Sequence, residues 1–171
     1  MQNSRAMYLF LMLVGFLAAA TVIAEDEALA IRTAAEHASD EPVATPAATT
    51  VPTARVNSRP AIYTSINGQQ IEGWLAWPAE KPAGEAPGLI VIHEWWGLNE
   101  NIKQTSERLA AEGYVTLAVD LYRGESAETP KNAMKLMQGL NAEAEAGVEN
   151  LAAAYDYLHS TMGLDKVGAV G

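Results

Sequence analysis

The chain has 171 residues and a formal net charge of −10 at pH 7, from 21 acidic and 11 basic side chains. Nucleic acids and anionic lipid surfaces bind through basic patches, so this charge argues against both as partners. The chain has no cysteine, so it has neither a disulfide nor a cysteine-based metal motif.

The N-terminal segment has the pattern of an export signal. Residues 6–24 carry no charge, follow Arg5 and end in small side chains. This pattern predicts a signal peptide over residues 1–24, cleaved after Ala24. The apolar run is also long enough to span a bilayer, so an uncleaved N-terminal membrane anchor is the alternative. We expect a protein exported to the periplasm or cell envelope, with membrane contact only through this segment if it stays uncleaved.

The next segment, residues 25–58, is rich in Ala, Thr, Pro and Glu and poor in large apolar side chains. Such a composition buries too little apolar surface to offset the entropy of ordering the chain. We therefore expect a disordered linker over residues 25–58 and a folded part over residues 59–171.

The folded part begins with a predicted β-hairpin. Residues 61–66 and 70–77 are strand-like runs joined by Asn67-Gly68, and Asn-Gly between such runs favours a type I′ turn. Pro78 is expected to end the second strand, because proline cannot donate to the ladder.

Strands and helices then alternate. Continuous apolar runs predict buried strands over residues 88–93, 114–121 and 166–171. Helices are predicted over residues 100–112 (capped by Asn99 and Gly113), from Thr129-Pro130 onwards, and over residues 142–162. Helical spacing predicts that the last helix buries Val148, Leu151, Ala152, Tyr155 and Leu158. This order is typical of an α/β fold with a mostly parallel sheet and an antiparallel hairpin at its edge.

Three segments follow the predicted strands, where ligands gather in α/β sheets: residues 93–99, residues 120–124 and Gly171. Of their side chains, we expect His93 to be a packed, satisfied imidazole and Asp120 to accept backbone N–H bonds from its own loop. A buried strand that ends in glycine typically leads to a turn that carries a nucleophile or binds phosphate. We therefore expect the reactive residue just after Gly171.

Four segments carry a resemblance to a known family: Gly73-Trp-Leu-Ala-Trp-Pro78, Leu89-Ile-Val-Ile-His-Glu-Trp-Trp-Gly-Leu-Asn99, Gly113-Tyr114 with Asp120-Leu-Tyr122, and Val167-Gly-Ala-Val-Gly171. In this order and spacing they resemble the dienelactone hydrolase family of α/β hydrolases, over residues 62–171. The resemblance implies that Gly171 is the first glycine of a Gly-x-Cys-x-Gly nucleophile elbow, and that the catalytic Asp and His come later. The chain would then be an incomplete hydrolase domain, truncated at the strand before the elbow and inactive by itself.

The resemblance also implies roles for three residues. Glu94 would contact the resting cysteine, since a carboxylate in an apolar pocket can exchange a proton with a thiol; its alternative role is to accept N–H bonds from its own loop. The backbone N–H of Trp95 would contribute to the oxyanion hole. Of the two indoles at 95 and 96, we expect one to pack in the core, the alternative being an aromatic wall for the substrate. Arg123 would bind a substrate carboxylate, unless it faces solvent or pairs with Asp120.

The leading hypothesis is thus an exported hydrolase that cleaves a small-molecule ester or lactone through an acyl-cysteine intermediate. The resemblance implies no metal and no organic cofactor. A serine esterase of the same fold is one alternative. Residues 167–171 also resemble the start of a phosphate loop, so a dinucleotide-binding enzyme is a second. A non-catalytic binding module of the cell envelope is the third.

Overall fold

A computed structural model describes residues 28–29, 31–33, 35–44, 49–51, 54–80 and 86–171. The predicted signal peptide lies outside these residues, so export stays a prediction. The chain divides into two compact units, Met1–Ser39 and Asp40–Gly171. The described residues of the first unit include helical turns within residues 28–36. Among the residues described, no helix combines the length and apolar character needed to cross a lipid bilayer.

The second unit opens with the predicted hairpin, formed by β1 (Val56–Ile66) and β2 (Gln69–Pro78). Asn67 and Gly68 have φ angles of 51° and 82°, the positive values that a type I′ turn requires at both central positions. The first strand begins earlier than the sequence analysis placed it, because Val56 pairs with Pro78 at the far end of the ladder. The predicted boundary of the linker at residue 58 is therefore wrong, since residues 56–58 belong to β1.

Five strands form one sheet in the order β1-β2-β4-β3-β5, where β3 is Gly88–Val91, β4 is Val115–Ala118 and β5 is Val167–Val170. The two ladders of β3, with β4 and with β5, are parallel, whereas β2 pairs antiparallel with both β1 and β4. All four residues of β4 are buried, as expected for a strand covered on both faces. The predicted α/β architecture with an antiparallel hairpin is confirmed. The prediction of a buried strand over residues 166–171 is wrong in part, because β5 forms but lies at the end of the strand order and three of its four residues are exposed.

Two helices begin where the sequence predicts. Helix α1 (Glu100–Ala111) is capped by Asn99, whose side chain accepts the N–H of Ile102. Helix α2 (Pro130–Ala142) is capped in the same way by Thr129, with proline in its first turn.

The third predicted helix, residues 142–162, is two elements: α3 (Ala144–Asp156) and a π-helical turn (Tyr157–Thr161). The predicted buried stripe is confirmed at Leu158 and in part at Leu151, which packs against the core, and is wrong at Val148, Ala152 and Tyr155. Val148 and Tyr155 are 68% and 44% exposed, whereas Asn150, Ala154 and Leu158 are buried. The pattern of apolar residues missed Asn150 because this buried residue is polar.

Asn150 is buried because it completes a hydrogen-bond network at the end of β4. Its Oδ1 accepts from the hydroxyl of Tyr63 on β1, 2.5 Å away, and its Nδ2 donates to the carbonyl oxygen of Asp120 at 2.9 Å. The hydroxyl of Tyr63 in turn accepts the backbone N–H of Asp120 at 3.2 Å. Burial of these groups is tolerated because each has a partner.

The turns that follow β3 and β4 are joined through their backbones. Gly97 and Ser126 form an isolated antiparallel bridge, and the N–H of Ala127 donates to the carbonyl oxygen of Trp96 at 2.9 Å. Gly97 has a φ of +90°, and a Cβ at this position would lie 2.8 Å from the carbonyl oxygen of Glu125. A glycine is therefore required here for conformation and for space.

Replacing Asn150 by Ala should lower the free energy of unfolding by about 1–3 kcal/mol, because the Tyr63 hydroxyl and the Asp120 carbonyl would lose their buried partner. Glu149→Ala, at the exposed neighbouring position of the same helix, is the control, with an expected change within about 0.5 kcal/mol. Urea denaturation measures both values. Equal stability of the two variants would contradict the assignment of this network.

Gly97→Ala should destabilise the protein more than Gly124→Ala. Both glycines have φ angles in the left-handed region, but a Cβ at Gly124 would meet nothing within 4 Å. Both variants should therefore lose about 1–2 kcal/mol to backbone strain, and only Gly97→Ala should lose about 1–3 kcal/mol more to overpacking. Thermal denaturation checks the order of the two stabilities. Equal stability of the two variants would show that the contact with Glu125 does not restrict the side chain at position 97.

Candidate active site

Three chain segments reach the same edge of the sheet because β3, β4 and β5 are parallel. β3 lies between the other two strands, so the turn after it occupies the centre of this edge. The N–H of Ile92 donates to the carbonyl oxygen of Val170 at 2.7 Å, and a Cβ on Gly171 would lie 3.0 Å from the Cβ of Ile92. The structure therefore places Gly171 beside the residues that lead into Glu94 and Trp95.

Glu94 begins the turn after β3. Its carbonyl oxygen accepts the N–H of Gly97 at 3.1 Å, which closes the turn Glu94–Gly97. Its side chain is exposed, whereas the sequence analysis placed the carboxylate in an apolar pocket. The alternation of burial explains the difference, since His93 points into the protein and the next residue points out of it.

The two indoles of the turn are in contact, with ring centroids 4.9 Å apart and an interplanar angle of 59°. Trp96 is 4% exposed and packs with Ala127 and Ala133, which confirms that one indole belongs to the core. Trp95 is half-buried. It lies inside the turn, directly after Glu94, at the position that the sequence analysis proposes for an oxyanion-hole N–H.

His93 is buried and hydrogen-bonded at both ring nitrogens, as the sequence analysis expected. Nδ1 lies 2.7 Å from the carbonyl oxygen of Glu94, and Nε2 lies 3.1 Å from the backbone nitrogen of Leu121. The ring also packs on Tyr122, with centroids 4.7 Å apart. Burial lowers the pKa of His93 from its ordinary value, because the charged imidazolium is poorly solvated there.

Asp120 holds the turn that follows β4, which confirms its predicted role. Its carboxylate accepts the backbone N–H groups of Tyr122 at 2.9 Å and Gly124 at 2.5 Å. Burial raises the pKa of this carboxyl, and the backbone hydrogen bonds oppose that rise. The turn Asp120–Gly124 is thus fixed from within by its first side chain.

Arg123 does not pair with Asp120, which was one of its expected alternatives. Its guanidinium forms an ion pair with Glu143 at the junction of α2 and α3, and its carbonyl oxygen accepts Nε2 of Gln69 at 2.9 Å. It has a φ of 56°, which accommodates the turn. The arginine lines a cavity of about 340 Å³. The other residues that line this cavity are Gln69, Leu121, Tyr122, Glu125, Lys135, Leu136, Gly139, Leu140 and Glu143.

Three residues of the site have no local signature in the sequence: Tyr63, Asn150 and Glu143. Each comes from an element remote in sequence from the strand ends, so no local motif identifies it. A polar residue at a core position of α3 is the one available signal, and only for Asn150. Within the described part of the chain, no three His, Cys, Asp or Glu side chains form a cluster that could hold a metal ion.

Comparison with known proteins assigns the chain to a family. The model of the dienelactone hydrolase family matches residues 71–171, a range that contains all three segments at the sheet edge. Protein usf of Aquifex pyrophilus is 49% identical over 74 residues, which cover 42% of this chain and 30% of that protein. The carboxymethylenebutenolidase of Pseudomonas putida is 31% identical over 117 residues, which cover 63% of this chain and 48% of the enzyme.

Two solved structures are similar to this chain in fold and in sequence. The structure named m3DLH has a TM-score of 0.60 at 31% identity, covering 68% of this chain and 49% of that chain. A dienelactone hydrolase-like promiscuous phosphotriesterase from metagenomic libraries has a TM-score of 0.59 at 28% identity, with coverages of 68% and 48%. The chain thus spans less than half the length of each of these relatives. With the family model, the strand order and the residues of the sheet edge in agreement, the chain belongs to the dienelactone hydrolase family of α/β hydrolases.

Proposed function

We propose that the protein hydrolyses ester or lactone bonds of a small molecule, through a cysteine nucleophile in the residues that follow Gly171. Family membership supports the hydrolase class. The observation that carries the proposal is the position of Gly171 beside Ile92, two residues before the turn Glu94–Gly97. A nucleophile that follows this glycine would face the turn that contains Trp95.

In the proposed reaction the thiolate sulfur attacks the carbonyl carbon of the substrate. A carbon–sulfur bond forms, and the electron pair of the carbonyl π bond moves to its oxygen. The backbone N–H of Trp95 donates to this oxyanion. When the C=O bond re-forms, the carbon–oxygen bond to the alcohol breaks, and the alkoxide takes up the proton that the thiol lost when it ionised. Water then cleaves the thioester, which releases the acid and the thiol.

Two alternatives use the same strand end. A serine at the same place would make the protein an esterase of the same fold, with an acyl-serine intermediate. A dinucleotide site is less well supported, because its glycine loop follows the first strand of its fold. Here Gly168 lies in β5, the fifth strand along the chain, and Gly171 directly follows it.

The full-length gene product, with the residues encoded after Gly171, should hydrolyse p-nitrophenyl acetate and the lactone dihydrocoumarin. Iodoacetamide should abolish both activities, because it alkylates a thiolate nucleophile. Replacement of the cysteine by alanine should lower kcat by a factor of about 10³ or more. If the protein hydrolyses neither probe, the proposal is contradicted. Activity that resists iodoacetamide but is lost to a serine-directed sulfonyl fluoride would favour the serine alternative.

Glu94→Gln should lower the pH midpoint of thiol alkylation by iodoacetamide, by about one pH unit. An ionised carboxylate next to the thiol opposes the formation of a second negative charge, and the amide removes that opposition. Glu112→Gln, exposed at the opposite end of α1, should leave the midpoint unchanged. If the midpoints of both variants equal that of the parent, Glu94 has no part in governing the thiol.

A further inference from the structure

His93 connects the two turns at the centre of the candidate site. One ring nitrogen contacts the carbonyl oxygen of Glu94, in the turn after β3, and the other contacts the backbone N–H of Leu121, in the turn after β4. The residue is 7% exposed, so water has little access to these hydrogen bonds.

Both partners of the ring are backbone groups of fixed polarity, which determines where the proton resides. The carbonyl oxygen of Glu94 can only accept, so Nδ1 of His93 carries the proton. The N–H of Leu121 can only donate, so Nε2 is unprotonated. The neutral Nδ1–H tautomer satisfies both contacts, and neither the other tautomer nor the imidazolium does so.

The partner in the turn after β4, the backbone N–H of Leu121, is held in place by the hydrogen bonds of the preceding residue. Asp120, the residue before Leu121, has its backbone N–H bonded to Tyr63 and its carbonyl oxygen bonded to Asn150, while its carboxylate closes its own turn. The position of Leu121 is therefore defined by β1, α3 and the turn itself.

Trp95 lies between two attachments to the segment that follows β4. On one side, Glu94 is held by His93 at 2.7 Å. On the other side, the carbonyl oxygen of Trp96 accepts the N–H of Ala127 at 2.9 Å. The second attachment is made by backbone, whereas the first depends on one side chain.

We propose that His93 is a positioning residue: as the neutral Nδ1–H tautomer it holds the turn Glu94–Gly97 onto the turn Asp120–Gly124, and it thereby sets the direction of the Trp95 backbone N–H. The link to catalysis rests on the proposed hydrolase function. His93 itself does not touch the substrate or exchange a proton with it. Its contribution is a fixed hydrogen bond to the carbonyl of the residue before the proposed oxyanion donor.

Two substitutions separate the two hydrogen bonds of His93. Asparagine places an amide N–H close to the position of Nδ1 and retains the donor to Glu94. Glutamine reaches the position of Nε2 and retains an acceptor for Leu121. His159→Asn makes the same chemical change at an exposed histidine in the π-helical turn and serves as the control. All variants are made in the full-length protein, and kcat and KM are measured with p-nitrophenyl acetate.

His93→Gln should lower kcat by a factor of about 10–100, with KM within about twofold, because a displaced donor stabilises the oxyanion poorly. His93→Asn should retain kcat within about threefold, and His159→Asn should not change it. If both His93 variants lose kcat equally, in proportion to their folded fraction, His93 only packs the core and the proposal is overturned. An unchanged kcat in His93→Gln overturns it as well.

A second readout does not depend on catalysis. In ¹⁵N NMR spectra the His93 ring should show a protonated Nδ1 and an unprotonated Nε2, and the amide signal of Trp95 should shift in His93→Gln more than in His93→Asn. A parent protein that hydrolyses neither probe would remove the proposed function, yet these spectra would still test the positioning. The opposite tautomer, or equal amide shifts in the two variants, would overturn the positioning while leaving the hydrolase proposal intact.

Discussion

The backbone groups that leave the sheet after β3 and β4 need hydrogen-bond partners, and the rest of the site depends on how they are satisfied. A buried N–H or C=O without a partner costs about 1–3 kcal/mol. The N–H of Asp120 donates to the hydroxyl of a tyrosine from β1, and the C=O of Asp120 accepts from the side chain of an asparagine from α3. The N–H of Leu121 donates to the ring of His93. Side chains from elements remote in sequence thus continue the hydrogen bonding beyond the ends of the ladders.

This arrangement gives the edge of the sheet a defined geometry before any ligand arrives. Each strand-end turn is closed from within, by the carbonyl of Glu94 in one case and by the carboxylate of Asp120 in the other. His93 and the backbone bridge between Gly97 and Ser126 then join the two turns. Preorganised donors of this kind are what stabilisation of a developing oxyanion requires.

Local rules predicted the order and type of most elements of the fold. Asn67-Gly68 specified the hairpin, and Asn99 and Thr129 specified two helix starts. The apolar runs identified three strands, of which β3 and β4 are mostly buried and β5 is mostly exposed. The candidate site was predicted in part, because its turns follow those strands. Tyr63, Asn150 and Glu143 could not be found from sequence, because their roles depend on contacts between elements far apart in the chain. The same cause explains why Val148 and Tyr155 were wrongly predicted to be buried, since α3 turns Asn150 inward to meet Tyr63 and Asp120.

Amide hydrogen exchange at the end of β4 tests most directly whether side chains satisfy the strand-end backbone. The N–H of Val119 donates to the carbonyl oxygen of Val91, as a continuation of the sheet, whereas the N–H groups of Asp120 and Leu121 bond to Tyr63 and His93. The account predicts that the amides of Asp120 and Leu121 are protected to within about tenfold of Val119, since all three then open only with the surrounding structure. Exchange of Asp120 and Leu121 at the rate of an unstructured peptide, next to a protected Val119, would contradict it.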